Sequence, residues 1–381
     1  MPVIARKLAA VALLLVPFST GSAPVAPLPP PPQIDARSWI LVDAQSGRVI
    51  TSRAADARVE PASLTKLMTA YAVFHALQDG KLQLDTEVPI SERAWRMEGS
   101  RTFLQVGSRV PVLVLLQGMI VQSGNDASVA LAEAVAGSEE SFAALMNQYA
   151  ARLGMTNSHF ENAAGMPGAN HLVTARDMSK LARAIIDEFP DYYHWYSQRE
   201  FTWNNITQAN RNGLLGRDPS VDGMKTGHTE AAGYCLVSSA HRDGMRMIAV
   251  VMGTSGFKAR EDASLSLLNY GFSFFETKRI YPRGAELARP RVYGADGGEA
   301  AVGLRHEFYA TVPRGRAGEI QLNLALNSAL RAPLSATTPV GKLRATLDGE
   351  LVAIADLYPL ADVAEGGFFR RGWDTVMAWF D

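Results

Sequence analysis

Ser63 and Lys66 stand three residues apart in Pro61-Ala62-Ser63-Leu64-Thr65-Lys66, at the predicted start of a helix. Residues at i and i+3 share a helix face, so the spacing brings an amine within reach of a hydroxyl. A serine hydroxyl is a weak nucleophile near neutral pH and becomes a strong one when a neighbouring base takes its proton. Lysine serves as that base only after losing its own proton, which burial or nearby positive charge favours. The pair alone is not selective, because Ser255-Gly256-Phe257-Lys258 repeats it. Two further polar motifs, Ser123-Gly124-Asn125 and Lys225-Thr226-Gly227, follow the first pair in order, and nothing comparable follows the second. They lie so far apart along the chain that only a folded domain unites them.

The elements that must position these motifs are legible from hydrophobic period. Ser38 to Asp43 and Gly47 to Thr51 are β-rich runs around Ala44-Gln45-Ser46, an antiparallel hairpin. Leu64, Leu67, Met68, Tyr71 and Phe74 recur at helical spacing and predict a core helix beginning at Ser63. Val110 to Val121, then Gln122 to Asp126, then Ala127 to Ala136 read as helix, polar turn, helix. Phe142 to Leu153 is an amphipathic helix closed by Gly154. Another opens at Thr174, with Thr174 and Asp177 as a capping-box pair and capping as the role expected of Asp177. Tyr234 to Ala240 and Met245 to Met252, around a turn at His241 to Gly244, form a second hairpin, and Glu261 to Phe275 a closing helix. Both hairpins are expected in one sheet with helices packed on it.

From about Arg279 the pattern changes to short strands. Ile320, Leu322, Leu324 and Leu326 alternate with polar or small residues as in a half-buried strand. Lys342 to Leu347 and Leu351 to Leu357 flank Asp348-Gly349, a hairpin signal. The fold class is therefore α+β, an antiparallel sheet with packed helices over 36–278 followed by a small all-β domain over 279–365.

The 381 residues carry a net charge of -1, which suggests no nucleic-acid partner. The single cysteine, Cys235, excludes an intramolecular disulfide and reads as a buried small hydrophobe. The seven histidines show no ligand-like pairing, so neither metal nor cofactor is expected. Arg6 and Lys7, the apolar run Leu8 to Phe18 and the small residues Ser19 to Ala23 read as a signal peptide over 1–23. That run is short against the roughly 20 residues needed to cross a bilayer. Residues 24–35 follow as a proline-rich linker. At the other end, Phe369, Trp373, Val376, Met377 and Phe380 share one helical face, which suits a membrane-surface helix over 366–381.

Three ordered motifs of this kind occur in class A β-lactamases and penicillin-binding proteins, with Ser-Asp-Asn in the middle where this chain has Ser-Gly-Asn. The chain closely resembles the low-molecular-mass penicillin-binding proteins that are serine-type D-alanyl-D-alanine carboxypeptidases. The resemblance extends through Val-Asp-Gly-Met-Lys225-Thr-Gly-His228-Thr, Phe257-Lys-Ala-Arg-Glu261, Val312-Pro-Arg-Gly-Arg316 and the terminal amphipathic segment. It implies a penicillin-binding fold, a peptidoglycan stem-peptide substrate, acylation by β-lactams, and an exported enzyme at the periplasmic face of the cytoplasmic membrane. It also implies roles: Ser63 as nucleophile, Lys66 as general base, and Ser123 as a proton relay toward the leaving amine. Asn125 would orient Lys66 and the substrate amide, and Lys225, Thr226 and Gly227 would hold the terminal carboxylate. Backbone N–H groups of Ser63 and His228 would form the oxyanion hole. Arg260 would either influence the site electrostatically or make an ion pair at a helix start. A β-lactamase shares the motifs, but Ser-Gly-Asn, the β-rich second domain and the tail favour the carboxypeptidase. A catalytically silent peptidoglycan-binding scaffold is a third possibility, against which the intact Ser63 and Lys66 argue.

Overall fold

The computed structural model describes residues 28–327 and 329–366. The expected signal peptide lies outside the described residues, as does the expected tail helix beyond Gly366. The chain divides after Pro30; Leu28 to Pro30 are exposed and in neither helix nor strand, and the unit from Pro31 carries every element below.

The hydrophobic runs at the two ends of the first domain form one antiparallel sheet: β1 (Ser38–Asp43), β2 (Val49–Arg53), β3 (Val221–Thr229), β4 (Gly233–Arg242) and β5 (Met245–Thr254). Their order is β2-β1-β5-β4-β3, so the expected hairpins meet along β1 and β5. The strand carrying Lys225 is thereby an edge. The near-continuous apolar runs of β1 and β5 are explained by burial on both faces. Ile40, Val42, Ile248, Val250 and Met252 join one core cluster, and Trp39, Leu41, Met247, Ala249 and Val251 join another. Successive strand residues point to opposite faces, so each strand feeds both layers.

The first layer is capped by α1 (Lys66–Gln78), whose Leu67, Met68, Tyr71 and Phe74 are all buried as the spacing predicts, and by α2 (Ala175–Glu188). The second layer is capped by α3 (Phe257–Phe274) through Leu267 and Leu268. Thr174 caps α2 by accepting from the Asp177 backbone N–H at 3.1 Å. Asp177 does not return the bond, which corrects the expected capping box. Its carboxylate accepts instead from Asn157 N at 3.1 Å and Ser158 Oγ at 2.9 Å, tying down the preceding loop. A small hairpin, Glu200–Trp203 with Ile206–Ala209, was not legible in the sequence.

Beyond α3 the elements among the described residues are strands apart from one short turn of helix, around a third core cluster. Phe275–Tyr281 pairs with Phe308–Pro313 and spans the expected boundary at 278/279. Gly341–Leu347 and Glu350–Pro359 make the expected hairpin, with Asp348 and Gly349 both at positive φ, +52° and +81°, as a type I′ turn requires. Gln321–Leu326 is an edge strand that keeps the expected alternation at Leu324 and Leu326, which are half-buried, and departs from it at Leu322, which is 41% exposed.

Candidate active site

Ser63 sits in a single 3₁₀ turn, Ala62–Thr65, that runs into α1. Two glycines let other segments close on this turn. A Cβ at Gly165 would stand 1.8 Å from the Ala62 carbonyl oxygen, and one at Gly227 would stand 3.0 Å from the Pro61 carbonyl oxygen and 3.2 Å from Leu64 N. Ser63 stays half-exposed while Lys66, one turn inward, is 1% exposed.

Lys66 Nζ has three oxygen partners: Asn125 Oδ1 at 2.7 Å, the Ala164 carbonyl at 2.5 Å and Ser63 Oγ at 3.0 Å. The first two can only accept. A neutral amine has two N–H groups, which these acceptors occupy, and its lone pair is then left facing Ser63 Oγ. That is the geometry of a general base. Electrostatics support it: burial pushes the Lys66 amine down to about 7, against a smaller upward pull from Asp126, with Arg211 adding to the depression.

The middle motif interrupts a helix. Val112–Gln117 is α-helical, Gly118–Gln122 widens into a π turn, and Ser123 takes a left-handed conformation at φ +70° before a new helix, Asn125–Ala136. Holding a serine there costs about 1–2 kcal/mol, a strain of the kind that clusters at functional sites. Ser123 is 2% exposed and its Oγ is buried without a hydrogen-bond partner among the described residues. Asn125 is held in one orientation, its Nδ2 donating to the Glu98 carbonyl at 2.6 Å and its Oδ1 accepting from Lys66. Asp126 behind it accepts from Thr102 N, Leu104 N and Ala127 N, which pins the loop bearing Glu98 and Ser100. The departure from Ser-Asp-Asn has a steric cause. A Cβ at Gly124 would lie 2.1 Å from Thr102 Oγ1 and 2.9 Å from Asp126 Oδ1.

On β3, Lys225 is 2% exposed and donates to the Thr226 carbonyl at 3.0 Å. Burial, then the positive charges of Lys66, Arg260 and Arg211, hold its amine well below the usual lysine range. Such an amine regains its proton when a carboxylate arrives beside it. His228 is exposed and stacks on Tyr234, with ring centroids 4.0 Å apart. Among the described residues Arg260 makes no ion pair at the helix start; Glu261 takes that part with Arg217. Arg260 is 2% exposed, its Nη1 donating to the Gly227 carbonyl at 3.3 Å. The rival pair dissolves: Ser255 is exposed, and Lys258 is bound to Asp262 at 2.7 Å.

Sequence comparison decides the family. Residues 25–256, more than half of the chain, match the profile described as D-alanyl-D-alanine carboxypeptidase, and residues 275–365 match that of the penicillin-binding protein 5 C-terminal domain. The chain belongs to the D-alanyl-D-alanine carboxypeptidase family. It is 42% identical to the D-alanyl-D-alanine carboxypeptidase DacA of Escherichia coli over 93% of this chain and 90% of that one. The solved structure of penicillin binding protein 5 from Haemophilus influenzae is 42% identical, with a TM-score of 0.81 over 88% of this chain and 99% of that one. Penicillin-Binding Protein D2 from Listeria monocytogenes, solved in an ampicillin-bound form, is 28% identical, with a TM-score of 0.60 over 64% of this chain and all of that one. The fold is accordingly the penicillin-binding one, followed by an all-β domain.

Within this family frame, the fold gathers all three motifs: Lys66 bonds Ser63 and Asn125, and Gly227 packs on the Ser63 turn. Sequence reasoning missed the carbonyls of Ala164 and Glu98, Thr102 beside Gly124, and the charge of Arg211. Every residue has a carbonyl, so those carry no signature. The one available signal was Gly165, whose φ of +85° and contact with Ala62 demand glycine.

Proposed function

We propose that this protein hydrolyses the terminal D-Ala-D-Ala bond of peptidoglycan pentapeptide stems through a Ser63 acyl-enzyme, releasing D-alanine, and that penicillins acylate the same serine. The observation that carries this is the buried Lys66 amine, depressed to about 7 and 3.0 Å from Ser63 Oγ. Lys66 takes the Ser63 proton as Oγ attacks the scissile carbonyl. Backbone N–H groups of Ser63 and His228 receive the developing oxyanion. The Lys66 ammonium passes that proton through Ser123 to the leaving amine, the C–N bond breaks, and D-alanine departs. Lys225, with Thr226 and Gly227, holds the terminal carboxylate by charge-assisted hydrogen bonds. Water attacks the acyl-enzyme with Lys66 again as base, freeing Ser63. Relatives named D-alanyl-D-alanine carboxypeptidase and the ampicillin-bound relative support both halves of the reading.

The protein is proposed to be exported and to work at the periplasmic face of the cytoplasmic membrane, attached to the membrane surface by residues 366–381. This location rests on the sequence at the two ends of the chain. No helix among the described residues is long and apolar enough to cross a membrane.

The test is incubation of the purified protein with a fluorescent penicillin and, separately, with a diacyl-D-Ala-D-Ala peptide, beside Ser63→Ala. Long-lived labelling and D-alanine release, both lost in Ser63→Ala, are expected. Rapid penicillin turnover without D-alanine release makes it a β-lactamase instead, and the absence of both labelling and release refutes enzymatic function.

A further inference from the structure

The loop 161–171 lies across the start of α1 and delivers the Ala164 carbonyl to Lys66. Its anchor is His171, 1% exposed. His171 Nε2 stands 2.9 Å from Oγ1 of Thr65, the residue before Lys66. Its Nδ1 meets two N–H groups, the Glu161 backbone at 3.3 Å and Asn162 Nδ2 at 3.1 Å. Asn162 cannot be turned round, because its Oδ1 already accepts from Gly165 N at 2.7 Å and Met166 N at 2.9 Å. A ring nitrogen facing two donors must offer its lone pair. The imidazole proton is thereby assigned to Nε2, which donates to Thr65 Oγ1.

A second proton would set a third N–H against the two already there. Burial opposes it too, and pushes the imidazole down to about 4; Glu161 pulls upward and His159 downward from the same segment. From the 3₁₀ turn that leads into α1 the facing group is the uncharged Thr65, and the Phe160 ring stands edge-on at 5.8 Å. The ring is therefore neutral throughout the range in which Lys66 titrates. The same loop is tied elsewhere, by Thr69 Oγ1 donating to the Ala163 carbonyl at 2.7 Å and by Ala163 N donating to Glu139 Oε1 at 3.0 Å. Loss of His171 thus loosens the loop without releasing it.

We propose that His171 is a positioning residue for Lys66: its neutral imidazole locks the loop to α1, keeping the Ala164 carbonyl on the amine and the amine's lone pair on Ser63. This rests on the Ser63 and Lys66 roles proposed above. The experiment compares His171→Ala, Thr65→Val and their double variant with the wild-type protein, for penicillin acylation and D-alanine release between about pH 5 and 9. Misplacing a reacting group by about 1 Å costs on the order of 100-fold. A kcat loss of about 10- to 100-fold with KM within about twofold is expected in each single variant. The double variant should be no worse than the poorer single one, since both cut one link. The acid limb should move to higher pH as water reaches the amine, and His171→Gln, which keeps an N–H for Thr65, should recover part of the loss.

Wild-type kcat and an unmoved limb in folded Thr65→Val overturn the proposal, even where His171→Ala misfolds. A lower Tm with wild-type kcat overturns it as well. A wild-type protein that neither labels nor releases D-alanine overturns the Ser63 reading and this one with it, so the two failures are told apart.

Discussion

Lowering the pH should switch the enzyme off by protonating Lys66. The ordinary lysine value of 10.5 falls to about 7 in the buried site. Each unit is about 1.36 kcal/mol, so the site disfavours the ammonium by about 5 kcal/mol relative to water. At pH 7 a lysine at 10.5 is neutral in about 3 molecules in 10,000, and one at about 7 in about half, a gain of more than a thousandfold in competent base. The neutral fraction then drops to about 0.09 at pH 6 and rises to about 0.9 at pH 8. The second-order rate of acylation by a fluorescent penicillin should therefore fall about fivefold from pH 7 to 6 and about tenfold per unit below that. It should rise less than about twofold from pH 7 to 8. Lys66→Arg, whose guanidinium does not deprotonate, should abolish acylation with the protein still folded. A rate that is flat from about pH 5.5 to 8.5, or that climbs tenfold per unit to about pH 9, refutes the assignment of Lys66 as a base depressed by burial.

Two other perturbations follow from the same geometry and from the ends of the chain. Gly124→Ala should cost about 1–3 kcal/mol by overpacking against Thr102; chemical denaturation reads the loss. Thr102→Ala in the same background should relieve part of it, and strictly additive effects would refute the steric account of the Ser-Gly-Asn motif. Deleting residues 366–381 should move the protein from membrane to soluble fractions without loss of D-alanine release; a truncated form that stays with the membrane after signal cleavage would show the tail is not the attachment.

Much of the site was legible because its chemistry is carried by side-chain types in a fixed order. Ser63, Lys66, Ser123, Asn125 and Lys225 could be picked out, and the joining of both hairpins in one sheet, α1 and the Asp348-Gly349 hairpin followed from apolar period and turn residues. Where expectation failed, the deciding contact was remote in sequence. Asp177 looked like half of a capping box, yet its carboxylate is taken by Asn157 and Ser158. For Arg260 a helix-start ion pair stood beside an electrostatic role, yet it lies buried against the Gly227 carbonyl. Leu322 kept the alternation of a half-buried strand but fell on a sheet edge.

The sequence by itself determined which groups are available, a hydroxyl, two amines, an amide and a second hydroxyl, together with the family they belong to. Only the tertiary structure set the Lys66 amine, depressed to about 7, beside the Ser63 hydroxyl. An amine's basicity is a property of its surroundings: burial expels the Lys66 proton, while the Ala164 carbonyl and the Asn125 amide fix where the amine points. Each comes from a different stretch of chain, and the carbonyl is a group that every residue carries and that the fold alone can aim.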